Sequence, residues 1–142
     1  MPLVRSPIAT GSGYLLSVTG YGETITGELW RSADGVAWEQ QPAEATPGVV
    51  GSLLIVPGGI EATVFRVHPD PADPGSGSIG TVLGHAPDGV VWTVDADEVP
   101  AELYPPVALP NGSLLAAACN LEVMNSDDPD AMPASLWLHR GV

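Results

Sequence analysis

The sequence contains no lysine and only four arginines, Arg5, Arg31, Arg66 and Arg140, against 17 acidic residues. The formal charge is −13 over 142 residues. A surface of that sign is repelled by nucleic-acid backbones and anionic membranes, so neither is expected as a partner. Cations and basic proteins remain suitable partners on electrostatic grounds. Cys119 is the one cysteine, which excludes an intramolecular disulfide. It ends the apolar run Leu114 to Cys119 and reads as a small core residue. Long apolar runs are also missing. The stretch from Val49 to Ile60 is too short for a bilayer and is broken by Gly51, Pro57, Gly58 and Gly59. The first residues, Met1 to Pro7, lack the charged-then-apolar pattern of a signal peptide. As written, the chain is expected in the cytoplasm, or outside the cell if it is a fragment of a longer precursor. No P-loop, dinucleotide fingerprint or Gly-x-Ser-x-Gly elbow occurs.

What is present is Gly and Pro, 17 and 15 residues, spread without a Gly-X-Y period. Between them lie short apolar runs, and 44% of the chain is hydrophobic. That combination argues against disorder and for an all-β domain built on many tight turns.

The runs fall into a repeating order. Pro7–Thr10, Tyr14–Thr19, Thr26–Arg31 and Val36–Gln40 read as four strands. Val49–Val56, Ala62–Val67, Ile79–His85 and Val90–Val94 repeat that order, with a longer loop from His68 to Ser78. Val107–Leu109, Leu114–Cys119 and Ser135–Arg140 begin a third set. Asp34-Gly35, Asp88-Gly89 and Asn111-Gly112 mark turns, because glycine accepts the positive φ that a tight hairpin needs. Asp34 and Asp88 stand 54 positions apart, as do Trp38 and Trp92. A period near this length with four strands per unit is the signature of propeller blades, since one sheet cannot cover both of its own faces. The expected fold is therefore three antiparallel blades over approximately 1–45, 46–100 and 101–142, the third incomplete.

The repeat is centred on Ser32-Ala33-Asp34-Gly35-Val36-Ala37-Trp38 and Ala86-Pro87-Asp88-Gly89-Val90-Val91-Trp92. The Ser32 hydroxyl and the Asp carboxylates can bond nearby backbone groups and hold the hairpin shut. Ser32-x-Asp34-Gly35-x-x-Trp38 resembles the Asp-box, or BNR, repeat of sialidase-like β-propellers, with a turn one residue shorter than the usual form. Ala37 and Val91 stand where Thr is usual, and Ala86 replaces Ser in the second copy. The resemblance implies that Ser32, Asp34, Gly35, Trp38, Asp88, Gly89 and Trp92 are structural braces, on the face opposite the usual active site. It also implies an arginine triad, a Tyr/Glu nucleophile pair and an Arg-Ile-Pro stretch in members that hydrolyse sialosides, and these are not found here.

The expected function is therefore a non-catalytic scaffold or binding module, and no catalytic residue is singled out. The alternative is a fragment of a sialidase-like glycoside hydrolase that needs further blades. The opposite face carries the acidic loops. Asp70 and Asp73, and Asp127, Asp128 and Asp130, are the candidate ligands for Ca²⁺ or the contact for a basic partner. No other cofactor is expected. Asp95, Asp97, Glu98 and Glu102 are placed on the same face, in a link between blades. His85 and His139, on third strands of different blades, need not meet. The four tryptophans are expected to pack between sheets rather than form a sugar-binding platform. Open end blades call for self-association or for the remaining blades of a longer propeller, and a protein or carbohydrate ligand fits such a module.

Overall fold

The computed structural model describes residues 2–5, 7–73, 77–99, 102–103, 106–119 and 134–139. These residues form three antiparallel sheets and one short 3₁₀ turn, Ala43–Ala45. Strands β1 (Pro2–Val4) and β2 (Ile8–Thr10) both pair with β3 (Gly13–Gly20), followed by β4 (Thr26–Ser32) and β5 (Glu39–Gln40). The second sheet is a plain meander of β6 (Val49–Val56), β7 (Gly59–Pro69), β8 (Gly77–Ala86) and β9 (Thr93–Val94). In the third, β10 (Glu102–Leu103) and β11 (Val107–Ala108) pair with β12 (Leu114–Cys119), which pairs with β13 (Ala134–His139).

The all-β, antiparallel expectation is met, with informative differences in the strands. Pro2–Val4 pairs with Val18–Gly20 as a further strand, one that the sequence pattern does not predict. The fourth strands begin at Glu39 and Thr93, later than Val36 and Val90. The reason is chemical: the N–H groups of Val36, Ala37, Val90 and Val91 are bound by aspartate carboxylates rather than by a neighbouring strand.

Successive side chains in a strand alternate between faces, and directly paired residues share a face. In β3, Leu15, Ser17 and Thr19 are buried and look toward the second sheet. The Thr19 hydroxyl donates to the Val50 carbonyl at 3.0 Å, and Gly27 lies against the Val49 backbone. On the second sheet, Val50, Ala62, Val64 and Val82 form a buried cluster capped by Leu53, Trp92 and Val94. They share the face that carries Val50, which receives the first sheet. The opposite face carries Glu61, Thr63, Leu83 and His85 and turns to the third sheet, where Val56, Leu83 and Leu114 form a second cluster. The sheets therefore stack in one sense, each sheet's leading face on the trailing face of the next.

Two glycines hold matching places in the first and second sheets. Gly13 opens β3 and Gly59 opens β7, each with positive φ, 133° and 145°. A Cβ on Gly13 would collide with the Ser32 carbonyl, and one on Gly59 would lie 2.6 Å from the Ala86 carbonyl. Gly13 and Gly59 are 46 positions apart, whereas Ser32 and Ala86 are 54 apart, so the extra length lies between these points, where β7, its following turn and β8 are longer. Among the described residues, no helix is long and apolar enough to cross a membrane.

Candidate functional site

The turn after β4 is closed by its own side chains. Asp34 Oδ1 accepts the N–H groups of Val36 (2.8 Å) and Ala37 (2.9 Å) and the Ser32 hydroxyl (3.1 Å). Gly35, with φ 78°, donates its N–H to Ser32 Oγ at 2.8 Å. The Trp38 indole donates to the Gly35 carbonyl at 3.2 Å. The bonds from Ala37, Val36 and Ser32, in that order of weight, hold the Asp34 carboxyl below its usual range. The second turn repeats this with Asp88 Oδ1 on Val90 and Val91, at 2.9 and 3.0 Å, and Gly89 at φ 69°. Those bonds lower the Asp88 pKa in the same way. With Ala86 in place of serine, the Gly89 N–H goes to the Ala86 carbonyl at 3.2 Å. Trp92 packs beside Gly84 against the second sheet's core and is half-buried, as are Trp38 and Trp30.

The candidate metal ligands are only partly described. Asp70 and Asp73 are exposed after β7, where Asp70 Oδ1 takes the Ala72 N–H at 2.8 Å and closes the turn. Asp127, Asp128 and Asp130 lie outside the described residues. Asp95, Asp97 and Glu98 do not form a free link. Asp95 and Val99 donate their N–H groups to the Leu83 and Thr81 carbonyls, both at 2.8 Å, so this segment continues the fourth strand as a bulge along β8. Arg66 donates to the carbonyls of Ala96 (3.1 Å) and Asp95 (3.5 Å), and His68 pairs with Glu98. Among the described residues, no three His, Cys, Asp or Glu side chains converge to hold a metal ion.

A different cluster lies between the second and third sheets. A cleft of about 630 Å³ is lined by Glu61, His85, Thr93 and Asp95 from one side and by Asn111 and His139 from the other. Glu61 Oε1 lies 2.7 Å from His85 Nδ1, close but not aligned as a hydrogen bond. Burial pushes the Glu61 carboxyl up, His85 and His139 pull it down, and Asp95 adds to the rise; the net shift is upward. The strand register explains why a cleft opens here. Glu61 and His85 pair across β7 and β8 as Leu15 and Arg31 pair across β3 and β4. Arg31 reaches the next sheet and donates to the Gly89 carbonyl, while the shorter His85 turns to Glu61. His85 and His139, which by strand order need not meet, thus line one cleft. Glu61 was not singled out from the sequence. The available signal was a carboxylate at the position Leu15 holds in the first repeat.

Chemically, the cleft offers two carboxylates, two imidazoles and an amide to a polar ligand, with Val56 and Leu83 as apolar wall. Compared with protein-family models, curated proteins and solved structures, the chain matches none.

Proposed function

We propose that the chain is a propeller-type repeat module of the Asp-box kind, serving as a non-catalytic binding scaffold. The observation that carries this is the duty of the residues that recur in register. Asp34, Asp88, Gly35 and Gly89 close turns, and Gly13 and Gly59 admit those turns onto the sheet. The repeated chemistry is thus spent on holding backbone. The partner on this reading is cationic, Ca²⁺ or a basic protein, drawn by the net charge of −13 to loops carrying Asp70 and Asp73. Calorimetric titration with Ca²⁺ and with an oligolysine peptide tests it. Binding weakened by salt and by Asp70→Asn together with Asp73→Asn is expected; silence toward both probes removes the acidic-face reading.

A second reading, part of a glycoside hydrolase, draws on the inter-sheet cleft. Glu61 is biased toward its protonated form beside Asp95, as an acid and its carboxylate partner would be. Turnover of a fluorogenic sialoside or other glycoside, abolished by Glu61→Gln, would support it. Absence of turnover across such a panel would eliminate it for this chain.

A further inference from the structure

The three sheets stack in one sense, and among the described residues each end of the stack leaves one face uncovered. On the third sheet, Leu114 looks back at the second sheet. Its neighbour Leu115 pairs with Val107 and Leu138, and Ala117 pairs with Leu136, so these five residues share the opposite, leading face. Val107, Leu136 and Leu138 are 56%, 78% and 50% exposed there. On the first sheet, Leu15, Ser17 and Thr19 look toward the second sheet. The trailing face therefore carries Val4 with Val18, Leu16 with Trp30, and Tyr14. Val4 is 60% exposed and Tyr14 38%. Clustered exposed aliphatic and aromatic side chains of this kind mark an interaction surface rather than a solvated one.

The internal contacts say what fits these faces. Twice within the chain a leading face meets a trailing face: the first sheet reaches the Val50 strand of the second through Thr19 and Gly27, and Val56 and Leu83 of the second meet Leu114 of the third. The uncovered pair consists of one leading face and one trailing face. We infer that the Val107–Leu115–Leu138 face of the third sheet docks on the Val4–Leu16–Trp30 face of the first sheet of a second copy of this chain, head to tail. The inference rests on the repeat-stack reading above and extends its interface across copies. Such a contact is heterologous, joining different patches on the two partners. Both patches are strand faces, so no strand edge is consumed.

The asymmetry supplies the test. Leu138→Arg spoils only the leading patch and Val4→Arg only the trailing patch. Both add positive charge to an acidic chain, so weakened association cannot be ascribed to added repulsion. Wild-type protein, followed by sedimentation and light scattering over a concentration series, is expected to assemble into multiples of the 14.6 kDa chain. Each variant alone is expected to associate at least about tenfold more weakly, as central apolar interface positions do. Mixed in equal amounts they are expected to form a one-to-one complex, because one intact leading patch and one intact trailing patch are then available. A monomeric wild type, an oligomer indifferent to both substitutions, or variants that fail to complement on mixing would each overturn the inference. Hydrogen exchange on the same samples reports the stack itself. Protected amides in β6 and β8 without association overturn the docking alone. Unprotected amides there overturn the stack reading on which it depends.

Discussion

Gly59 is a residue whose replacement is costly. Its φ of 145° is one that L side chains rarely adopt, and a Cβ would sit 2.6 Å from the Ala86 carbonyl and from Pro87 Cα. Gly59→Ala is expected to destabilise the fold by more than about 1 kcal/mol, read by chemical denaturation. Ala at Gly58, where nothing lies within 4 Å but φ is 96°, carries the backbone strain without the clash and should cost less. Asp34 makes a different prediction. Its carboxyl is held down by backbone bonds in the folded state, so its contribution is present above the unfolded value of 3.8 and lost as pH falls through the lower folded value. Asp34→Ala should lower the melting temperature at pH 7, and the difference from wild type should shrink in acid below 3.8. The motif spacing made this brace legible before any coordinates, because an Asp two and three residues before free N–H groups has few other geometries to adopt. The delay of the fourth strands to Glu39 and Thr93 was not legible. Val and Trp favour strands, and the competition for their amides is decided by the carboxylate in space.

At the scale of elements, Arg31 ties two sheets together. It leaves the last turn of β4 and donates to the Gly89 carbonyl in the second Asp turn. A charge-assisted bond of this kind contributes about 1.5 kcal/mol, discounted because Arg31 is half-exposed, and its stem also covers apolar surface. Arg31→Ala is therefore expected to lower stability by about 1 kcal/mol or more and to raise hydrogen exchange at Gly89 and Val90. A purely local role would leave those amides unchanged. Between the second and third sheets His85 occupies the equivalent register and makes no such tie, which leaves the cleft. The 54-residue period predicted that Arg31 and His85 are equivalent; it carried no information on where each side chain would go. That depended on Glu61, whose carboxylate captures the imidazole.

For the whole molecule, electrostatics dominates the response to solvent. A net charge of −13 repels itself in the compact state, and salt screens that repulsion. Raising NaCl from low to moderate concentration at pH 7 is expected to increase the melting temperature by about 4 °C, the shift that roughly 1 kcal/mol produces in a chain of this size. Glu61 acts in the same direction with pH. Its folded pKa is raised above 4.5, so its stabilising contribution is complete below 4.5 and lost as pH rises through the folded value. Glu61→Gln should therefore be more stable than wild type at pH 7, with the difference closing toward pH 4.5. Denaturation at the two pH values reads this directly, and an unchanged difference would mean that burial of the carboxylate is not the controlling term.

The strand pattern, the turns and their period were present in the sequence because they are local: alternation, Gly conformational freedom and side-chain bonds spanning two or three residues. Those are enough to determine an all-β chain of repeated antiparallel units and the bracing role of Asp34 and Asp88. Tertiary structure alone decided which sheet face meets which, that Arg31 bridges sheets while His85 stays with Glu61, and that His85 and His139 share a cleft. Each of these depends on contacts between residues far apart in the chain, where register and stacking set the distance and the spacing of letters does not.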